Sequence, residues 1–324
     1  MLDYLIRRML LIIPTLIGIT IVTFGIMKLA PGDPASLRAG DIMDPAMSDR
    51  IQQELRERFH LDEPLPTQYF LWLSDLITGK SKSMTDDLPV LTKIKDAFWP
   101  TVKVNLTALI LAFVLSFPIG IYAAAHRNGW FDRAGGVVLY VLYSIPSYVG
   151  AIVLLLYLSV RWGWLPLRGM QGDDYPLLSN WGKFLDATSH MTLYVICTTY
   201  GSLAYYSRFV RQNLLEVIRQ DYIRTARAKG LPHHVVVLKH AVRNTMIPFI
   251  TLAALTIPPL IGGSVILEVI FTWPGLGRLF FISVLERDYP VVMALSTATA
   301  VLVLFATLAA DLLYGWVDPR VGHR

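Results

Sequence analysis

The sequence predicts an all-α polytopic membrane protein with about six transmembrane helices, and three observations carry that prediction. Charge is scarce: of 324 residues, 54% are hydrophobic and 16% charged, with a mean hydropathy of +0.49, whereas soluble domains carry roughly 25% charged residues. Six separate apolar runs punctuate the chain. The basic residues sit between those runs, where positive flanks orient membrane helices.

The first run, Met9–Leu29, follows a charged start and has about the length that crosses 30 Å of hydrocarbon. It is too long for a signal-peptide core, and no small-residue cleavage site follows it, so a retained anchor is expected. Residues 31–98 come next, with eight basic and twelve acidic residues. Long loops cross regardless of charge, and this one is expected outside, partly helical. In "SDRIQQELRERFHL", Ile51, Leu55 and Phe59 recur at intervals of four, one stripe of a surface helix. "LPTQYFLWLSDLITG" reads as an amphipathic piece near the interface, anchored by Tyr69, Phe70 and Trp72.

Five further runs follow, at Val102–Ala125, Ala134–Val160, Thr188–Tyr206, Met246–Ile270 and Val291–Trp316. Thr188–Tyr206 is short and rich in hydroxyls, so it is expected to face other helices or a wet pathway. Sidedness follows from charge. Arg7 and Arg8, Arg127 and Arg133, and the eight basic residues of 208–245 against Glu216 and Asp221 all mark cytoplasmic segments. The organisation expected is a cytoplasmic start and first helix (1–30), an outer segment (31–98), and a five-helix core (99–316). That core contains a cytoplasmic loop (208–245), and a cytoplasmic tail (317–324) follows it. No internal repeat of fixed period is present.

Most enzymatic chemistry is excluded. The single cysteine, Cys197, lies in an apolar run and permits no intrachain disulfide. The net charge of +5 is spread between spans without interleaved aromatics, so no nucleic-acid partner is expected. "TGKS" at 78–81 has Ser74 where a phosphate-binding loop needs glycine. "GLGRLF" at 275–280 lacks a third glycine, and "GGS" at 262–264 lacks the glycine after serine. His233 and His234 point about 100° apart on a helix, which disfavours a shared metal. A secondary transporter needs ionisable groups in mid-membrane; Glu268 and Asp311 fall near helix ends and read as interfacial or structural carboxylates paired with a nearby arginine. A stand-alone secondary transporter or channel for a small polar solute is the alternative reading.

The informative stretch is "DYIRTARAKGLPHHVVVLKHAVRN", 221–244. From Arg208 the pattern is helical, with Leu214, Leu215, Ile218 and Tyr222 on one stripe. Ile223, Ala226 and Gly230 continue that spacing with smaller groups. Gly230-Leu231-Pro232 is a helix stop, and "PHHVVVLKHAV" starts a second helix. A solvated basic loop accounts for the charge but not for this order of small face, glycine corner and second helix; a docking element accounts for both. Ser144, Ser147, Thr198, Thr199 and Thr256 are candidates to line a pathway. Pro118, Pro146, Pro248, Pro258 and Pro259 interrupt spans, and the outer corner Trp273-Pro274-Gly275 is a candidate contact for an outside partner.

"DYIRTARAKGL…KHAVRN" resembles the cytoplasmic coupling loop of ABC importer permeases, in the dipeptide and oligopeptide permease family that also includes nickel and glutathione permeases. The broad Glu-Ala-Ala motif of such permeases aligns with Arg224, Thr225 and Ala226, then Gly230; only Ala226 and Gly230 match it. The Arg-Thr-Ala-Arg-Ala-Lys-Gly form is typical of the peptide branch. "RRMLLIIPTLIGITIVTFGIMKLAPGDP", "VIFTWPGLGRLFFISVLERDYPVV" and "DLLYGWVDPR" are similar to the first subunit of these permease pairs.

The resemblance implies a type I ABC importer permease fold in a bacterial or archaeal cytoplasmic membrane, with both termini inside. It also implies a second homologous permease subunit, two cytoplasmic ATPases holding ATP and Mg, and an extracytoplasmic solute-binding protein. No cofactor is expected in this chain, and no catalysis. Asp221, Ile223, Arg224, Thr225, Ala226, Arg227, Ala228, Lys229 and Gly230 would dock an ATPase: Arg224, Arg227 and Lys229 by contacting its cleft, Ala226 and Gly230 by permitting close approach. The cargo implied is di- or oligopeptides, chosen largely by the delivery protein.

Overall fold

A computed structural model describes residues 2–29, 36 and 44–317. The opening "PGDP" of the outer segment, most of 30–43, and the tail at 318–324 lie outside the described residues. In chain order the helices are α1 (Leu2–Leu29), α2 (Pro45–Arg58), α3 (Leu65–Thr78), α4 (Val90–Ala125), α5 (Trp130–Ser144) and α6 (Ser147–Leu154). Then come α7 (Asn180–Val217), α8 (Asp221–Ala228), α9 (His233–Val235), α10 (Val242–Gly262), α11 (Val265–Ile270), α12 (Leu276–Leu285) and α13 (Tyr289–Val317). Two wider, π-helical turns extend α6 over Leu155–Arg161 and α9 over Val236–Ala241.

Among the described residues α1, α4 and α13 are long and apolar enough to cross a membrane. Large apolar side chains such as Leu10, Ile13, Val22 and Ile26 stand exposed along α1, a surface that suits lipid and not water. Two expected spans are broken. Ala134–Val160 is not one rod: α5 and the α6 limb meet at 93° across Ser144–Ser147, because Pro146 lacks an N–H and pushes Ile145 into extended backbone (φ −84°, ψ 116°). Met246–Ile270 is split after Gly262, where Gly263 turns the chain at φ +67° and the Ser264 hydroxyl caps α11 by accepting from the Leu267 N–H at 3.4 Å. Helices also outrun the apolar runs: α4 begins at Val90, and α7 extends Thr188–Tyr206 in both directions.

The chain packs as two units, one of residues up to Trp99 with Gly275–Phe305, the other of Pro100–Pro274 with the chain from Ala306. In the first, Trp72 of α3 packs on Phe24 of α1 beside Tyr289 and Met293 of α13. Of the three expected interface anchors only Phe70 is exposed. Tyr69 turns inward, its ring edge-on to Phe24 at 5.5 Å and its hydroxyl 2.9 Å from that of Thr20. Leu55 alone of the α2 stripe is fully buried. Val90, Ile94 and Ala97, spaced as one helical face, close on Leu276, Val291, Ala294 and Leu295.

Asp288, just before α13, is buried and gathers the hairpin ahead of α4. It accepts from the Ser83 hydroxyl, from the Met84 N–H at 3.0 Å and from the Thr85 hydroxyl at 3.1 Å. Lys93 donates to Asp86 at 2.8 Å and to Ser83 at 3.1 Å. Burial pushes the Asp86 carboxyl up, but the bonds from Lys93, Ser83 and the Leu88 N–H outweigh that effect and hold it below the usual carboxylate range.

In the second unit α7 is central. Leu193, Tyr194 and Cys197 pack against Val104 and Ala108 of α4, Ala151 of α6, and Leu267, Phe271 and Trp273; the hydroxyl-rich run does face other helices. Lower on α7, Tyr206 and Val210 meet Ala112 and Phe249, with Phe113 and Phe117 edge-on to the Phe249 ring at 4.9 and 4.3 Å.

Candidate functional site

The 221–244 stretch folds as two short helices joined at a corner. α7 ends at Val217, so the predicted stripe is interrupted: Leu214 belongs to α7 and Tyr222 to α8. The chain turns through Arg219 and Gln220, whose carbonyl accepts from the Ile223 N–H at 3.0 Å, and α8 begins with Asp221 near its positive N-terminal end. At the far end Gly230 adopts φ +74° and its N–H donates to Arg227 O at 2.9 Å. A Cβ there would meet nothing within 4 Å. Within this chain its requirement is therefore the left-handed backbone.

The small face of α8 points into this chain. Ile223 is 0% and Ala226 7% exposed, packed with Leu214 of α7, Ala124 of α4, and Val236, Val237 and Ala241 of the π-helical turn. Within this chain the small Ala226 lets α8 lie close on that turn. The outward face carries Asp221, Arg224, Thr225, Arg227, Ala228 and Lys229, all exposed. Arg224 leans toward Asp221 at 3.5 Å, a pair too exposed to matter for stability. Asn244 of α10 donates to the Tyr222 hydroxyl at 2.8 Å. α8 is thus a basic plate fixed from behind by an apolar seat and tied at one side to α10.

The hydroxyl residues lie on α5, α6, α7 and α10. Ser144 and Ser147 flank the 93° bend, Ser144 donating to Tyr140 O at 2.9 Å. Thr198 and Thr256 bond the backbone of their own helices, and buried Thr199 donates to Ala108 O at 3.3 Å. At the bend, the Tyr200 hydroxyl donates to Ile145 O at 3.1 Å, and a Cβ on Gly150 would lie 2.6 Å from that hydroxyl. At the other corner, Trp273 is fully buried, its indole N–H donating to Pro100 O at 3.0 Å. Gly275 is buried too, and Pro274 is the exposed member of the three.

Two constellations escape sequence reading. Arg211 of α7 forks onto Asp132 of α5, Nε to Oδ1 at 2.6 Å and Nη2 to Oδ2 at 2.7 Å, a geometry that only a planar guanidinium makes. Glu268 is 0% exposed and accepts from the Thr101 hydroxyl at 2.8 Å, a donor 167 positions away of which the sequence held no sign. A Cβ on Gly263 would strike Glu268 Oε1 at 2.7 Å, so glycine serves both the turn and the carboxylate. Asp311 is half-buried. Among the described residues no three His, Cys, Asp or Glu side chains group as a metal site.

Residues 116–323 match the family described as binding-protein-dependent transport system inner membrane component. Residues 1–104 match the N-terminal part of binding-protein-dependent transport system membrane components. The chain is 39% identical over 322 residues, 99% of both chains, to the oligopeptide transport system permease protein AppB of Bacillus subtilis (strain 168). It is 35% identical over the whole of both chains to the dipeptide transport system permease protein DppB of Escherichia coli (strain K12). It is also 36% identical, over the whole of both, to the glutathione transport system permease protein GsiC of Pectobacterium atrosepticum. In fold it is similar to a chain of the MetNI methionine ABC transporter in an inward-facing conformation, with TM-score 0.57 over 72% of this chain, all of that chain, and 18% identity.

Proposed function

The chain belongs to the binding-protein-dependent transport system inner membrane component family, and on that premise we propose that it is the transmembrane subunit of an ATP-driven importer of di- or oligopeptides. The full-length similarity to oligopeptide and dipeptide permease proteins supports the cargo class. The chain is not itself an enzyme. ATP and Mg bind two separate cytoplasmic ATPase subunits, a second homologous permease completes the pathway, and an extracytoplasmic solute-binding protein delivers the peptide. Six crossings put both termini and 208–245 in the cytoplasm, with 31–98 and Pro274 on the delivery side. Ser144, Ser147, Thr198, Thr199 and Thr256 border the moving parts of the pathway.

One observation carries the reading: α8 has a sealed apolar back and an exposed basic front. Arg224, Thr225, Arg227, Ala228 and Lys229 meet the ATPase, while Ile223 and Ala226 pass its movement to α7 and α10. Nucleotide shifts the permease only insofar as this docking favours one conformation over another. The test pairs a cysteine at Arg227 with thiol cross-linking in the assembled transporter, alongside uptake of labelled dipeptides into proteoliposomes. We expect a cross-link to the ATPase and uptake that needs ATP, ATPase and binding protein together. Uptake by this chain without ATPase would overturn the proposal.

A further inference from the structure

α5 has a thin apolar seat. Of its 15 residues only Leu139 is buried, while Val137, Tyr140 and Tyr143 stand exposed. Between α5, the end of α4 and α7 lies a cleft of about 440 Å³, bordered by Ile119, Ala123, Leu139 and Ser207, where a close-packed boundary would leave no such room. α4 and α7, by contrast, touch beside it: a Cβ on Gly120 would lie 2.7 Å from Ser207 O and 2.8 Å from Val210 Cβ. Arg211 of α7 and Asp132 of α5, which also border the cleft, meet in the fork. Their side chains are 28% and 8% exposed. Asp132 stands in the first turn of α5, where the positive end of a helix favours a carboxylate. Its Oδ2 also accepts from the Asn128 N–H at 3.0 Å, so the turn before α5 shares the same anchor. The Arg211 guanidinium holds the Asp132 carboxyl below the usual carboxylate range, against the upward push of burial.

We propose that Arg211 and Asp132 are positioning residues for import, a tie that makes the start of α5 follow α7 when the ATPase moves. The proposal rests on the importer reading above. Leu214, one helical turn beyond Arg211, lies in the apolar seat of α8 with Ile223 and Ala226, so a push on α8 enters α7 beside the fork. From there the apolar route to α5 meets the cleft, and dispersion contact falls steeply across even a narrow gap. The charge-assisted pair carries the movement instead. Its two parallel bonds fix an angle as well as a distance, so it resists rotation of α5 and not only separation. Lysine at 211 would keep the charge and lose the fork. Neither side chain acts on peptide or nucleotide; both act by holding α5 in place against α7.

The test uses the full chain assembled with its partner subunits. Spin labels on Trp130→Cys and Gln212→Cys, both exposed positions, report the distance from α5 to α7 by electron paramagnetic resonance; Cys197 is buried and stays in place. We expect one narrow distance with and without ATP when the fork is intact, and a broad or nucleotide-dependent one in Asp132→Asn and in Arg211→Lys. Peptide taken up per ATP hydrolysed should fall severalfold in both, while ATP hydrolysis persists and the unfolding midpoint moves little. Asp132→Asn combined with Arg211→Gln should be no worse than either alone, as for two residues acting as one unit. Arg211→Lys keeps the charge, so it carries the test should Asp132→Asn fold poorly. Uptake at the wild-type level in both variants, or unaltered distances in both, would overturn the proposal. Uptake, hydrolysis and midpoint falling together would overturn it too, by making the fork a support for folding alone. Uptake by the unaltered chain without ATPase would sink the importer reading instead, and the distances, which need no cargo, would then decide the tie on their own.

Discussion

Asn244 donates a hydrogen bond to the Tyr222 hydroxyl at 2.8 Å, which ties the exposed basic helix to the first turn of α10 across 22 positions of sequence. Because Asn244 Nδ2 also reaches His240 O at 3.2 Å, it joins three pieces of the 221–244 corner. Removing either side of this bond should loosen α8 without unfolding the spans. Tyr222→Phe and Asn244→Ala, combined in a double-mutant cycle on unfolding, should show a coupling of about 0.5–1.5 kcal/mol. Peptide uptake should fall further than ATP hydrolysis.

The two faces of α8 should respond differently to substitution. Ala226→Trp overfills a packed seat, which costs about 1–3 kcal/mol, so both the unfolding midpoint and transport should drop. Arg227→Glu alters only the exposed front; uptake should be lost at an unchanged midpoint. A stable, fully active Ala226→Trp would mean that α8 does not sit against Val236 and Ala241 as described.

Gly230 isolates a backbone effect. No atom lies near its missing Cβ, so Gly230→Val should be destabilising by about 1–2 kcal/mol from the left-handed conformation alone. Gly230→Asn should cost clearly less, since asparagine visits that region. Thermal unfolding of both variants in the same detergent checks the ordering.

Thr101→Val keeps the shape beside Glu268 and removes one hydrogen bond to it. A hydrogen bond to a charged group contributes about 1.5–3 kcal/mol. The loss should be larger than for Thr107→Val, whose hydroxyl bonds only Lys103 O of its own helix. Denaturation midpoints in one lipid mixture compare the two.

The Asp86–Lys93 pair predicts a direction with pH. The folded carboxyl is held below its usual range, so the folded chain binds fewer protons and gains stability as pH rises. That contribution is complete above the ordinary carboxylate pKa and lost as pH falls through the depressed folded value. Wild type should therefore unfold later than Asp86→Asn near neutrality, and the gap should close in acid.

What was legible in sequence divides by physical cause. Apolar runs marked where helices lie, and α1, α4 and α13 among the described residues are long and apolar enough to cross a membrane, but hydropathy says nothing about polar extensions such as Asn180–Ala187 or Val90–Thr101. The Gly230 corner was legible, since glycine followed by proline is local chemistry. The Ala226 face was legible as small, but its packing on Val236, Val237 and Ala241 of this same chain was not, because one stripe does not name its neighbour. Arg211 with Asp132, and Glu268 with Thr101, were hidden by separations of 79 and 167 positions.

The Arg211 fork and the Tyr200 hydroxyl both leave α7, and they grip α5 at opposite ends, one at Asp132 and the other at Ile145 O. A beam bolted at two points turns with its mount. Beyond the second bolt the chain changes heading by 93°, so α5 and α6 form the two arms of a crank with Ser144–Ser147 as its elbow. Twist entering along α7 from the basic plate would therefore leave sideways as a sweep of the α6 arm.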